Sequence, residues 1–381
     1  MKKTLLWLTL ALPIFASAQT KDPVKNFSIT GKIGTLNQPA MVYIDYMDAG
    51  VSRQDSIPVV NGNFTITGHV DGITYSRMAI GRSGKGKGYS IYVEKDVIYF
   101  YFAKDKVVMN SPDSLINATI TGSKINDEFV AYNKIIGGTI MDLAKAANDE
   151  FNSLSADEKR DSVVMADVNA RYLKSMETRN QKMLKFANDF PNSYFAVVAL
   201  SEGAGTKVNV AVVKPIYDAL NPSLKATDTG KEIAQRIAAS SSTKAGQTAP
   251  MFTQNDPNGK PISLADLKGK TVLVEFWASW CGPCRSENPN LVKQYNLYKD
   301  KGFTILSVSL DGEKDKWLEA IKSDGLTWLH VSDLKGWNNE VGRLYGVRAV
   351  PASFLVDAEG KIIANDLRGE SLNKKLEELM K

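Results

Sequence analysis

The chemistry-bearing residues of this sequence are a pair of cysteines. The chain has 381 residues and two cysteines, Cys281 and Cys284, set in Trp280-Cys281-Gly282-Pro283-Cys284. The motif follows directly on Thr271-Val-Leu-Val-Glu-Phe-Trp277. That apolar and aromatic run predicts a strand buried on both faces, and the residues after the motif predict a helix. A Cys-x-x-Cys where a buried strand turns into a helix has a specific use. The first cysteine caps the helix N-terminus, where unpaired N–H groups and the helix dipole favour a thiolate. The second lies one turn further on, within reach of the first sulfur. The pair can then cycle between dithiol and disulfide with little backbone movement.

Other uses of the pair fit less well. A zinc site needs about four ligands, and beyond the two cysteines the chain offers only His69 and His330, both remote in sequence. A purely structural disulfide closing so short a loop would remove little chain entropy and stabilise little. Dithiol exchange requires no metal, flavin or nucleotide, and no glycine-rich phosphate loop precedes a helix near the motif. Met165, Met176 and Met183 read as gap-filling packing rather than a copper site. The basic stretch Arg82-Ser-Gly-Lys85-Gly-Lys87-Gly reads as a solvated hairpin loop rather than a phosphate or nucleic-acid site.

The elements that must position the motif occupy the last third of the chain. Strand and helix alternate there. Lys270–Trp277 is a strand, Cys281–Lys299 a helix, and Phe303–Ser309 a second buried strand. A helix over Glu313–Ser323, a short strand or loop at Trp328–Val331 and a short helix at Glu340–Tyr345 follow. A hairpin of Ala352–Val356 with Ile362–Ile363 and a closing helix over Ser371–Met380 complete an α/β domain over 251–381.

What precedes it differs in kind. Residues 19–122 alternate in short runs, among them Phe27–Ile33, Met41–Tyr46, Phe64–Thr67, Tyr89–Val93 and Val97–Phe102. This predicts seven or eight strands in an antiparallel β-sandwich. Its tyrosines fall at strand spacing, as core and face residues. Residues 123–240 change to helical spacing. A capping box at Ser155-Ala-Asp-Glu158 opens a long helix towards Phe190. Ser193 caps another, and two more run over Val210–Leu220 and Pro222–Ala239. The small, polar stretch 241–250 reads as a linker.

Composition bounds the function. At 43% hydrophobic and 23% charged residues, with a formal net charge of +5, the mature chain is globular rather than disordered. Its charges are interspersed, which argues against nucleic acid as the partner. Lys2 and Lys3, the apolar stretch Leu5–Phe15 and Ala16-Ser17-Ala18 have the form of a signal peptide cleaved after Ala18. No cysteine follows to carry a lipid, and no later stretch is long enough for a membrane span. The expectation is an exported protein of the periplasm or cell envelope, without stable membrane insertion.

The C-terminal domain resembles the exported TlpA/ResA-type thioredoxin-fold oxidoreductases, within the AhpC/TSA-Redoxin superfamily. The resemblance is carried by Ala249-Pro250-Met-Phe, by Asn258-Gly-Lys-Pro-Ile-Ser-Leu-Ala-Asp-Leu-Lys-Gly-Lys270, by the Trp-Cys-Gly-Pro-Cys core and by Tyr345-Gly-Val-Arg-Ala-Val-Pro-Ala-Ser-Phe-Leu-Val-Asp357. Together they span about a third of the chain. More loosely, the region ahead of it resembles the uncharacterised β domain that precedes such domains in envelope proteins of Bacteroidetes.

The resemblance implies site residues. Cys281 would be the attacking nucleophile and Cys284 the resolving thiol of a redox-active disulfide. Pro351 matches the cis-proline that faces the dithiol, against the alternative of an ordinary trans-proline at a strand start. It would bring the Val350 backbone beside Cys281, where an extended substrate pairs as an added strand. Trp280, Gly282, Pro283 and Val350 would form the substrate contact. Glu275 sits among apolar neighbours on the strand, so burial should raise its pKa, and positions 275, 277 and 279 share a face. Family members use an acid there to handle the resolving thiol's proton; a carboxylate merely satisfied by a lysine or water is the alternative. Arg285 in the helix's first turn either favours the thiolate or is solvated.

The implied function is protein-disulfide reduction in the envelope, on apocytochrome c or misoxidised exported proteins, with electrons from a membrane donor. The Gly-Pro spacer, that of thioredoxin itself, favours a reducing poise. An oxidase or isomerase using the same residues is the first alternative. A peroxidase would need a threonine where Ala278 stands. A ligand-binding envelope protein with an accessory redox domain is the third.

Overall fold

The structure is a computed structural model describing residues 24–48 and 50–381; the expected signal segment lies outside the described residues. The chain divides into two compact units, one ending at Tyr132 and the other running from Asn133 to Lys381.

The first unit is strand-rich: β1 (Phe27–Ile33), β2 (Met41–Asp48), β3 (Val51–Pro58), β4 (Asn63–Gly68), β5 (Thr74–Gly81), β6 (Val97–Phe102), β7 (Lys106–Ser111) and β8 (Thr119–Thr121). They form two four-stranded sheets, β4-β1-β7-β8 and β3-β2-β5-β6. β4 and β7 bury every second residue, the signature of a sheet with one face on a core. Ile29 and Val107 of one sheet share a single buried cluster with Ile44, Met78 and Phe100 of the other.

Two expectations fail here. Pairing is not wholly antiparallel, because β1 and β7 run parallel. Tyr89–Val93 is not a strand. It belongs to α1 (Lys87–Tyr89) and a π-helical turn over Ser90–Glu94. The Ser90 hydroxyl donates to the Gly86 carbonyl, and Lys95 N–H closes on the Ser90 carbonyl. So short an apolar run does not distinguish helix from strand.

The division between units falls within α2 (Lys124–Ile136). Then come α3 (Ile140–Ser153), α4 (Ser162–Asp189), α5 (Tyr194–Gly203), α6 (Val210–Ala219), α7 (Pro222–Lys225) and α8 (Asp228–Ser242). The Ser155–Glu158 box forms reciprocally but opens only a 3-10 turn. The long helix starts later, where the Asp161 carboxylate accepts from Val163 and Val164 N–H. The Ser193 hydroxyl caps α5 through Phe195 N–H. The helix expected over 222–239 is broken into α7 and α8, where the Thr227 hydroxyl caps the new start through Gly230 N–H. The stretch 241–250 is no free spacer. Gly246 N–H donates to the Ile362 carbonyl at 2.7 Å, Ile362 N–H to Gln247 at 2.8 Å, and Thr248 pairs with Lys361.

The rest is the α/β domain: a small hairpin of β9 (Thr253–Asn255) and β10 (Pro261–Ser263), then β11 (Thr271–Trp277), α9 (Gly282–Tyr298), β12 (Phe303–Ser309), α10 (Lys314–Ser323), β13 (Leu329–Val331), α11 (Glu340–Leu344), β14 (Ala352–Val356), β15 (Ile362–Asn365) and α12 (Gly369–Leu379). The sheet order is β13-β12-β11-β14-β15. The motif strand β11 is therefore central, parallel to β12 and antiparallel to β14. Its residues after Thr271 are all buried, as the unbroken apolar run required. The face carrying Phe276 packs on Tyr345 and Phe354. The opposite face, carrying Glu275 and Trp277, lies towards α9.

Candidate active site

β11 ends at Trp277, and the chain turns through Ala278-Ser279-Trp280 into α9. Cys281 N–H closes the turn on the Ala278 carbonyl at 3.1 Å. Cys281 is the N-cap of α9, and its Sγ accepts from Cys284 N–H at 3.2 Å. A sulfur thus stands where helix N-caps usually place an oxygen, on the positive end of the helix dipole. The two cysteines are joined as a disulfide with Cα atoms 5.3 Å apart. Cys281 is 4% exposed and Cys284 1%, while Gly282 and Pro283 between them are exposed.

The turn is tied down from β12. The buried Asp311 carboxylate accepts from Ser279 N–H at 3.0 Å, from the Ser279 hydroxyl at 2.6 Å and from the Ser309 hydroxyl at 2.7 Å. Leu310 N–H adds a bond to the Trp277 carbonyl at 2.8 Å. Arg285 is half-buried, and its guanidinium is committed away from the thiols: it clamps Asp324 and donates to the Ser279 carbonyl. Trp277 is in the core. Trp280 is 54% exposed, with its ring 5.8 Å from that of the half-exposed Trp337. The dithiol is bordered by an aromatic surface.

Glu275 is buried on β11 opposite Ser307 of β12. The Ser307 hydroxyl donates to Glu275 Oε2 at 2.7 Å, and Trp328 Nε1–H donates to Ser307 Oγ at 2.8 Å. Burial pushes the Glu275 carboxyl up to about 7; the Ser307 bond opposes the rise, Glu287 adds to it and Arg368 opposes it. Neither a lysine nor a second hydrogen-bond donor faces Glu275 among the described residues. His330, beside Ser307 in register, is buried and held neutral, with its pKa pushed down to about 3 by desolvation.

The Val350–Pro351 peptide is cis, and both residues are half-buried. Arg368 donates to the Pro351 carbonyl. A cavity of about 130 Å³ opens on this loop, lined by Thr206, Lys207, Arg348, Pro351, Phe354 and Arg368. Thr206 and Lys207 come from the helical region, and Lys207 pairs with Asp366 at 2.6 Å. A second cis peptide, Gln38–Pro39, lies in the strand-rich unit and is unforeseen in the sequence.

The structure brings Cys281, Gly282, Pro283 and Cys284 together at the head of α9, puts Trp280 at their edge and buries Glu275 on the strand below. Val350 and Pro351 stand at the start of β14. Sequence reasoning missed Asp311, Ser307, Trp328 and Trp337. The signal for Asp311 was an acid two residues beyond the end of a wholly buried strand. For Trp328 and Trp337 there was no local signal.

Residues 244–379 match the Redoxin family. Residues 27–129 match a domain of unknown function, DUF4369. The chain is 38% identical over 136 residues to thiol-disulfide oxidoreductase ResA of Bacillus thuringiensis subsp. konkukian, covering 36% of this chain and 76% of that protein. It is 37% identical over 127 residues to ResA of Bacillus subtilis, covering 33% of this chain and 69% of that one. Among solved structures, the thioredoxin domain of a thiol-disulfide oxidoreductase from Bacteroides vulgatus is 43% identical, with a TM-score of 0.35, covering 36% of this chain and 99% of that one.

Proposed function

The chain belongs to the ResA-like thioredoxin-fold thiol-disulfide oxidoreductases, and on that premise we propose that it reduces disulfides of exported proteins through Cys281 and Cys284. The observation that carries this reading is Cys281 Sγ capping α9, one turn from Cys284, with a buried acid on the strand that leads into the motif.

The Cys281 thiolate attacks one sulfur of a client disulfide. The other client sulfur leaves as a thiolate and takes a proton from solvent. A mixed disulfide now joins Cys281 to the client. Cys284 gives its proton to the Glu275 carboxylate, and its thiolate attacks Cys281 Sγ. The bond to the client breaks, and the second client sulfur leaves as a thiolate that takes a proton from solvent, as the first did. Two electrons have moved, the client holds two thiols, and Cys281–Cys284 is oxidised. A partner dithiol must reverse that last change. Helix-dipole stabilisation of the Cys281 thiolate supports its role as the attacker. Val350, ahead of the cis-proline, supplies backbone for an extended client, and Trp280 with Gly282 and Pro283 forms the exposed surface it meets.

The N-terminal Lys2–Ala18 pattern supports export to the envelope. Among the described residues no helix is long and apolar enough to cross a membrane. Electrons then come from a membrane donor, and apocytochrome c or misoxidised envelope proteins are the clients. The two N-terminal regions, read as a β-sandwich over 19–122 and a helical region over 123–240, limit which clients reach the dithiol.

The test is the reduction potential of the Cys281–Cys284 couple in glutathione and dithiothreitol buffers, with Cys284→Ser used to trap clients. A potential near that of thioredoxin, about −270 mV, is expected. A value near about −120 mV, that of a strong periplasmic oxidant, would reverse the assigned direction.

A further inference from the structure

We propose that Ser307 and Trp328 are positioning residues that hold Glu275 ready to accept a proton, and so set the pH at which the resolving thiol is released. This rests on the reading of Glu275 as the acceptor of the Cys284 proton, and it assigns that control to two residues outside the motif.

The argument is one of hydrogen-bond direction. An indole N–H can only donate. Trp328 Nε1–H spends its proton on Ser307 Oγ at 2.8 Å, and the Ser307 hydroxyl meets Glu275 Oε2 at 2.7 Å. Ser307 is 0% exposed, and among the described residues its hydroxyl has no other acceptor. If Glu275 donated to Ser307, the hydroxyl proton would be left without a partner in the core, a costly arrangement. The chain Trp328→Ser307→Glu275 therefore runs one way. A hydrogen bond delivered to an ionised acceptor is about twice as strong as to a neutral one, so this chain favours the carboxylate.

The indole has little room to turn its N–H elsewhere. Its ring lies 5.4 Å from that of Tyr295, on the helix that bears the dithiol, and stacks on His330 at 5.7 Å. The other groups facing Glu275 pull in opposite senses. Glu287 of α9 opposes ionisation, and Arg368, just before α12, favours it. On β14, Ser353 stands opposite Glu275, but its hydroxyl is turned to the Leu367 carbonyl. On β13, His330 is neutral across the working range. The Ser307 hydroxyl is the only hydrogen-bond donor to the carboxylate among the described residues.

The experiment follows the rate of mixed-disulfide resolution against pH in single turnovers of the full-length protein. Ser307→Ala should move the midpoint upward by about one pH unit, the low end for a hydrogen bond to an ionised group. Trp328→Phe leaves the hydroxyl but frees its direction, and should move the midpoint the same way by less. Ser307→Thr should restore the original midpoint. In a Glu275→Gln background neither Ser307→Ala nor Trp328→Phe should move the profile further. A merely structural role would lower stability and rate without displacing the midpoint.

Two failures are distinguishable. If Glu275→Gln alone leaves the profile unchanged, the proton-acceptor reading falls, and this inference with it. If Glu275→Gln changes the profile but Ser307→Ala does not, the acceptor stands and the positioning role is overturned. Should Ser307→Ala not fold, an unmoved midpoint in Trp328→Phe overturns it equally.

Discussion

Ionising Glu275 places a carboxylate inside a sheet where, among the described residues, one hydroxyl is there to receive it. A carboxyl that titrates near 7 instead of 4.5 makes the folded protein hold a proton that the unfolded chain has released. Between those values the native state binds more protons, so stability falls as pH rises through that window. The cost of the ionised form is about 3 kcal/mol. Glu275→Gln keeps the shape and an acceptor for Ser307 but removes the charge. It should leave stability near pH 4 little changed and raise it by up to about 3 kcal/mol at pH 8. Denaturant unfolding of the oxidised protein at the two pH values measures this. An equal effect at both would mean that Glu275 is not the group that titrates. If Glu275 accepts the Cys284 proton as proposed, the same substitution should also slow resolution of the mixed disulfide, so one residue would trade stability for chemistry.

At the scale of elements, the active-site turn depends on the order β11, α9, β12. The parallel pairing of β11 with β12 brings Asp311 back beside Ser279, 32 residues earlier in the chain. The carboxylate accepts two bonds from Ser279 and one from Ser309, which fixes where Trp280 and Cys281 begin. Asp311→Ala leaves those donors in a poorly solvated site and should cost about 2–4 kcal/mol, with Asp311→Asn recovering part of it. Chemical denaturation of both variants is the check, and a loss within about 0.5 kcal/mol would show that water replaces the carboxylate. This pairing also shows where sequence reading stops. The strand-to-helix turn at Cys281 was legible because its cues are local: an unbroken apolar run, then Cys-Gly-Pro-Cys. The burial of Glu275 was legible from its apolar neighbours alone. The bonds of Ser307 to Trp328 and of Asp311 to Ser279 were not, because each joins residues more than twenty apart through register that no local pattern encodes. The same limit hid the parallel β1–β7 pair. It hid the helical turn at Tyr89–Val93 too, where periodicity over five residues carries too little information.

At the scale of the whole molecule, the helical region and the α/β domain form one unit, and they meet at α11, at the loop that leads to Pro351 and at β15. Arg348 pairs with Glu232 of α8, Arg343 Nη2 donates to Gln235 Oε1 at 3.1 Å, and Asn365 Nδ2 donates to the Thr243 carbonyl at 2.9 Å. These partly exposed polar contacts are individually weak. The tight point is Gly346. Its φ is +70°, and a Cβ there would lie 3.0 Å from Ala239 Cβ of α8. Gly346→Ala must adopt a left-handed conformation at about 1–2 kcal/mol and push α8 outward. A lower melting temperature is expected from strain alone. A second effect follows from position, because the loop continues through Arg348 and Ala349 into the segment against which an extended client would pair. If α8 braces that segment, kcat/KM should fall several-fold more on a protein disulfide than on a small aromatic disulfide that needs only the exposed sulfur. Assays of both substrates, well below the variant's melting temperature, separate the two effects. Equal losses would confine the helical region to stability, and a loss selective for protein clients would make it part of how the enzyme holds them.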